Sequence, residues 1–147
     1  MHTAAREPAP ERTPTAHRIL IVGGYGTFGS RAAERLARAG GLDIVIAGRD
    51  RIRADDAARA LQSVAADATR ISGARLDAAS ATAPDLLELG VGIVINASGP
   101  FQTQSYALAE AAIGAHAHHI DLADARAFVP GITVLDAAAR AAGVLVV

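Results

Sequence analysis

The sequence predicts a doubly wound α/β domain, a parallel sheet covered by helices on both faces. Three observations carry that expectation. Short, continuously apolar runs such as Ile19-Leu20-Ile21-Val22 and Val91 to Ala97 read as strands buried on both faces. Segments of helical periodicity lie between such runs. Glycines follow the first run, where a strand must hand over to a helix in a tight turn. The chain has 147 residues, enough for one domain with a single core. Strands alternating with helices imply right-handed crossovers, and the expected strand order is 3-2-1-4-5-6.

Residues 1 to 17 carry Pro8, Pro10 and Pro14 among Ala, Thr, Glu and Arg and show no apolar periodicity. They are expected to be a disordered leader, because nothing in them offsets the entropy of ordering. The folded domain is expected over 18–147. After the first strand, Thr27 to Ala39 reads as a helix. Phe28, Ala32, Leu36 and Ala39 mark its inner face, and Arg31, Glu34, Arg35 and Arg38 its outer face. Gly40-Gly41 stops it. Ile44 to Ala47 is the second strand, and a helix from Arg51 to Ala66 follows, capped by Asp50.

Arg70 to Leu76 is the third strand, interrupted by Gly73. Pro84 to Leu89 reads as a short helix or turn, and Val91 to Ala97 as the fourth strand. A helix over Ser105 to Ala115, a fifth strand over His118 to Leu122 and a helix over Ile132 to Ala142 complete the alternation. Val144 to Val147 opens a sixth strand. A chain that stops inside a strand suggests one half of a longer protein.

Composition excludes several chemistries. All 14 basic residues are arginines, so a Schiff-base lysine, a phosphate-loop lysine and a Tyr-x-x-x-Lys pair are absent. There is no cysteine, hence no disulfide, thiolate nucleophile or Cys-ligated metal. A net charge of −1 gives no long-range attraction to nucleic acid or an anionic membrane. No secretory signal and no membrane-spanning run of apolar residues occurs, so a cytoplasmic location is the default expectation.

The stretch Ile19-Leu20-Ile21-Val22-Gly23-Gly24-Tyr25-Gly26-Thr27-Phe28-Gly29 satisfies two glycine registers. Gly24, Gly26 and Gly29 match G-x-G-x-x-G, and Gly23, Gly26 and Gly29 match G-x-x-G-x-x-G. In either, one glycine makes the tight turn, Gly26 lets backbone approach a pyrophosphate, and Gly29 lets the helix lie close on the strand. The helix N-terminus then faces the phosphates. Placed after a strand and before an amphipathic helix, the motif predicts a dinucleotide-binding, Rossmann-type fold. Gly23, Gly24, Tyr25, Gly26, Thr27, Phe28 and Gly29 are the expected cradle. A ligand-free turn is the competing structural explanation. Phe28 reads as core, and Tyr25 as a ring lying against the cofactor.

The second strand ends Ala47-Gly48-Arg49-Asp50. NAD sites place a carboxylate there for the ribose hydroxyls, whereas NADP sites need a cation for the 2′-phosphate. Arg49 suits that phosphate, Arg51 and Arg53 add field, and Asp50 reads first as a helix cap that also lies near the ribose. NADP is favoured over NAD, FAD ranks lower, and the missing carboxylate argues against a methyltransferase.

Asn96-Ala97-Ser98-Gly99-Pro100 falls at the end of the fourth strand, beside the point where sheet order reverses. Ser98 or Asn96 could bond the nicotinamide-side ribose, with Gly99-Pro100 turning beneath it. A plain turn with Asn96 closing the strand end explains the same residues. Asp77 borders the adenine or is a solvated loop carboxylate. Asp121, between Ile120 and Leu122, is a candidate for substrate orientation or proton transfer, or a buried carboxylate that caps a neighbouring loop. His116 and His118 would share a strand face, but they lack the ligand number for a metal site, so none is expected. Tyr106 is followed by Glu110 rather than lysine, which leaves tyrosine-type hydride chemistry unsupported.

Four pieces in this order resemble the cofactor-binding domain of the saccharopine dehydrogenase-like oxidoreductases. They are Ile21 to Gly29, Ala47 to Asp50, Val94-Ile95-Asn96-Ala97-Ser98-Gly99-Pro100-Phe101 and His119-Ile120-Asp121-Leu122-Ala123. The resemblance covers Arg18 to Val147. It implies NADP as hydride carrier, Asp121 bordering the cleft, and a second domain that binds a small-molecule substrate and dimerises. The expected function is hydride transfer by an oxidoreductase of which this chain is the inactive cofactor half. A non-catalytic NADP sensor and a structural domain with a vacant site are the alternatives.

Overall fold

The apolar runs and helical segments alternate along the chain as strands and helices built around one sheet. The computed structural model describes residues 15–100, 105–122 and 128–147. In chain order the elements are β1 (Thr15–Val22), α1 (Thr27–Ala39), β2 (Asp43–Gly48), α2 (Arg51–Gln62), β3 (Arg70–Arg75) and α3 (Ala83–Leu89). Next come β4 (Val91–Asn96), α4 (Ala107–Gly114), β5 (His118–Asp121), α5 (Phe128–Gly131), a 3-10 turn (Ile132–Leu135) and α6 (Asp136–Ala142). The sheet is parallel and five-stranded in the order β3-β2-β1-β4-β5. Val22, at the end of central β1, pairs with Ala47 of β2 and Asn96 of β4. Sheet growth therefore reverses between β3 and β4, and a crevice opens at the carboxyl ends of β1 and β4.

Alternating side chains send the strands' two apolar sets to opposite helix layers. Ile19, Ile21, Ile44 and Ile46 pack with Ala33 and Ala37 of α1 and Ala58 of α2. Leu20, Val22, Val45, Val91 and Val94 pack with Leu86 of α3 and Leu108, Ala111 and Ala112 of α4. The helices bring alanines to these contacts, so they sit close on the sheet. Gly73 of β3 is one such point of approach. A Cβ there would come within 2.7 Å of the Asp55 nitrogen and 2.8 Å of the Ala54 carbonyl carbon. Helix α3 starts with a capping box between Thr82 and Asp85 and a proline in its first turn. Thr82→Ala is expected to cost about 1 kcal/mol, read as a lower denaturant midpoint at unchanged slope.

Several expectations change. Thr15, placed in the leader, pairs with Val91 and begins β1, with an irregularity before Ile19; residues 1–14 lie outside the described ones. The buried face of α1 is Gly29, Ala33 and Ala37, and Phe28 is 68% exposed rather than in the core. The helix docks through its smallest side chains, and one position from Gly29 a ring is turned away from that contact. Helix α2 ends at Gln62, not Ala66. Its side-chain amide takes over the neighbouring edge strand, donating to the Thr69 carbonyl (3.0 Å) and accepting from the Ile71 N–H (2.8 Å).

The helix expected over Ile132 to Ala142 is instead a 3-10 turn followed by α6. The β-branched run Ile132-Thr133-Val134 disfavours α-helix, and Thr133 Oγ1 donates to the Pro130 carbonyl at 2.9 Å. Val144 to Val147 forms one parallel bridge to β5, between His119 and Val146, rather than a sixth strand. His116 precedes β5 with a positive φ of 54°, so it shares no strand face with His118. No helix among the described residues is long and apolar enough to cross a membrane.

Candidate dinucleotide-binding site

The glycine turn closes tightly at Gly23. Its φ is +77°, it accepts the Gly26 N–H at 2.9 Å, and it donates to the Ala47 carbonyl at 2.8 Å. A Cβ on Gly23 would meet the Ala97 carbonyl oxygen at 2.7 Å and Ser98 Cα at 2.9 Å. On Gly29 it would meet the Gly23 carbonyl carbon at 2.8 Å and Gly24 Cα at 2.9 Å. Gly23, Gly26 and Gly29 are thus the register that the fold uses, while Gly24 is buried against Ile46. Gly26 is the N-cap of α1, no side chain caps it, and the first turn holds no acidic residue. Thr27 and Phe28 are exposed in that first turn. Such a helix end presents free N–H groups and a positive dipole to an anion.

The crevice beside it has a volume of about 540 Å³. Of the expected residues, Gly23, Tyr25, Gly26, Arg49, Asp77, Ser98, Gly99 and Pro100 line it; Gly24, Thr27, Phe28, Gly29, Asp50, Asn96 and Asp121 do not. A second, more open cavity adjoins it, bounded by Tyr25, Arg49, Asp50, Arg51, Ile52, Arg53 and Arg75. Arg51 pairs with Asp55 (2.8 Å). Arg49, Arg53 and Arg75 have no carboxylate partner among the described residues. Asp50 does not neutralise them by pairing, since its Oδ1 accepts the Arg53 N–H at 3.1 Å as the cap of α2. Arg75 Nε donates to the Arg49 carbonyl at 3.2 Å, which lays its guanidinium along the β2–α2 loop. Three guanidiniums without a carboxylate partner among the described residues, against the one carboxylate of Asp50, favour an anion at this cavity.

A family profile described as the saccharopine dehydrogenase NADP binding domain matches residues 19–147. The chain belongs to this family. No curated protein matches it. Among solved structures, a short-chain type dehydrogenase/reductase from Mycobacterium ulcerans is similar, with TM-score 0.65 and 16% identity over 90% of this chain and 66% of that one. A short-chain dehydrogenase from Sphingobium yanoikuyae, solved with NADPH, has TM-score 0.60 and 21% identity over 86% of this chain and 67% of that one. The bulky-bulky ketone specific alcohol dehydrogenase from Comamonas testosteroni has TM-score 0.59 and 20% identity, covering 86% and 69%. The chain spans about two thirds of the length of these structures. At such identities they share the Rossmann fold with it, not an established activity.

In this saccharopine dehydrogenase-type domain the strand-end residues divide between shaping and lining. Asn96 is buried, and its Oδ1 accepts both the Ser98 N–H (3.1 Å) and the Ser98 hydroxyl (2.6 Å). It therefore shapes the loop that carries Ser98, Gly99 and Pro100 into the crevice. Asp77 Oδ1 accepts the Ala79 N–H at 3.1 Å, an Asx turn. Asp121 pairs with Asn96 in register at the end of β5, half-buried and one strand away from the crevice. Phe101 and Ala123, two carriers of the resemblance, lie outside the described residues.

Sequence reasoning missed Arg75, Leu76, Ala78, Ala79, Ala97 and Ser105 at the two cavities. Arg75 had a usable signal, since a basic residue ending the strand next to β2 must stand beside the β2–α2 loop. Among the described residues no three His, Asp or Glu side chains come together to hold an ion. His116 Nδ1 lies 3.3 Å from the Ala142 carbonyl oxygen, and His118 Nδ1 accepts the Leu145 N–H at 3.0 Å. His119 is buried on the α4 face of β5, beside Val94. Burial pushes its imidazole below the ordinary value, and the Asp121 carboxylate opposes that shift.

Proposed function

We propose that this domain binds NADPH for an oxidoreductase of the saccharopine dehydrogenase-like type. The observation that carries the choice is the group of guanidiniums with no carboxylate partner among the described residues, Arg49 and Arg75 at the ends of β2 and β3 and Arg53 in the first turn of α2. The residues fit the cofactor. The uncapped first turn of α1 and Gly26 would take the pyrophosphate, and Arg49 with its neighbours the 2′-phosphate. Leu76, Ala78 and Ala79 would border the adenine, and Ser98 to Pro100 the nicotinamide-side ribose. Asp50 stands at the edge of the same cavity. When bound, the cofactor would supply a hydride; the chain's share is position and field.

The small-molecule substrate, and pairing into a homodimer, are assigned to a second domain. Support comes from the β4–β5 face opposite α4. Ile120 and Leu122 are 40% and 46% exposed there, in line with half-buried Ile93 and Ile95. Asp121 is the proposed group for orienting substrate or moving a proton. A non-catalytic sensor of NADPH is the second reading, favoured by one fact. The only carboxylate among the described crevice-lining residues, that of Asp77, is engaged by its own loop.

Calorimetric titration with NADPH and NADH tests the cofactor. The expected result is tighter NADPH binding, and a loss of about 10- to 100-fold for NADPH alone in Arg49→Ala, the usual worth of a charge-assisted contact. A preference for NADH would move the ribose contact to Asp50 and overturn the proposal.

A further inference from the structure

We infer that Tyr25 is a positioning residue that sets the preference for a 2′-phosphorylated cofactor; the inference rests on the NADPH reading above. Tyr25 sits in the glycine turn, yet its contacts lie across the crevice on the β2–α2 loop. Its hydroxyl oxygen accepts the Asp50 N–H at 3.1 Å, and the Arg53 guanidinium carbon lies 4.7 Å from the centroid of its ring. Gly48 makes room for this crossing. A Cβ there would meet Tyr25 Cε1 at 2.6 Å and Cζ at 2.5 Å.

The other arginines of α2 show why the ring matters. Arg51 is held by Asp55 and Arg59 by Asp56, each on the helix's own surface. Arg53 has no carboxylate partner among the described residues, and its ordering contact is the ring of Tyr25. Held over a ring rather than by a carboxylate, a guanidinium keeps its positive charge and its N–H donors for an anion. Tyr25 and Arg53 both line the crevice and the adjoining arginine cavity. The ring therefore holds a cation at the boundary between them, and its hydroxyl fixes the backbone of the loop that carries Arg49. Both effects act on the 2′-phosphate end of the ligand and not on the part that NADH shares.

The test measures binding of four probes by calorimetry: NADPH, NADH, 2′,5′-ADP and 5′-AMP. In Tyr25→Leu the NADPH-to-NADH affinity ratio is expected to fall about 5-fold, with 2′,5′-ADP following NADPH, on the scale of a cation–π contact and one hydrogen bond. Tyr25→Phe keeps the ring and is expected to retain the ratio within about 2-fold. Gly48→Ala, which displaces an intact Tyr25, is expected to match Tyr25→Leu. In an Arg53→Ala background the leucine substitution is expected to lower the ratio by no more than Tyr25→Phe does in the wild type, within about 2-fold, because only the hydroxyl's contact to the loop is left to lose. Thermal melts identify any variant that fails to fold, and the remaining variants then decide.

Equal losses for NADPH and NADH in Tyr25→Leu would place the ring against the shared part of the cofactor and overturn the inference. So would a ratio held within 2-fold of wild type. A wild-type chain binding 2′,5′-ADP no better than 5′-AMP would instead refute the NADPH reading itself, and this inference with it.

Discussion

Gly26→Ala is expected to lower NADPH affinity about 100-fold while leaving the fold nearly intact, because in the proposed complex the new methyl group would stand where the pyrophosphate approaches. The backbone of Gly26 is extended (φ −84°, ψ 177°), which alanine adopts freely. Among the described residues its Cβ would meet only the Gly23 carbonyl oxygen, at 3.2 Å. As an N-cap, alanine in place of glycine costs about 0.5–1 kcal/mol. Gly23→Ala behaves differently. Its φ of +77° disfavours any side chain, and the Cβ would press into the end of β4. Strain and overpacking together cost about 3 kcal/mol, so the melting midpoint is expected to fall by roughly 10 °C. Calorimetry and thermal melts on the two variants separate the roles: one glycine serves the ligand, the other the turn. NADPH binding within 3-fold of wild type in Gly26→Ala would mean that the phosphates lie elsewhere.

The architecture was legible because its signals are local. A strand buried on both faces must be continuously apolar, as Ile19 to Val22 is, and the residues after it must turn without a Cβ in the way. Helix α1 begins and ends at the expected residues, since Gly26 and Gly40 bound it chemically as well as sterically. What escaped was set by contacts between segments distant in sequence. Gly29 marks a close approach by its motif, but nothing local says that the contact continues through Ala33 and Ala37 and leaves Phe28 outside it. Gly73 weakens a strand by propensity, yet it is what lets α2 settle on β3. Arg75 reaches the arginine-lined cavity only because β3 lies beside β2, with Gly48 and Arg75 in register. The two glycine registers were indistinguishable by spacing and were separated by one dihedral angle, at Gly23.

Acid is expected to weaken the fold through His119, and His119→Leu to remove most of that effect. The side chain is 1% exposed, and neither ring nitrogen has a hydrogen-bond partner among the described residues. Burial lowers the native-state value below the ordinary 6.5, with Asp121 partly restoring it. Once pH drops below 6.5, the unfolded chain therefore binds more protons at this site than the native one. Stability from this group is complete above pH 6.5, declines as pH falls through the window beneath it, and levels off below the native-state value. Each unit of depression corresponds to about 1.4 kcal/mol. Leucine beside Val94 has no proton to take up and no buried nitrogen to leave unpaired. At neutral pH the variant is expected to be more stable by about 1–2 kcal/mol, as removal of an unsatisfied polar group allows. Urea unfolding at a series of pH values tests both statements. The wild-type midpoint should fall more steeply than that of His119→Leu between pH 7 and pH 5; parallel curves would place the acid sensitivity in other groups. Asp121→Asn should carry the decline to lower pH, because the carboxylate that offsets the burial is gone. The link to the site runs through β5: Leu122 donates its N–H to the Asn96 carbonyl at 3.2 Å, and Asn96 holds the loop of Ser98. Protonation that loosens β5 is therefore expected to weaken NADPH binding in the same pH range, and His119→Leu to preserve it.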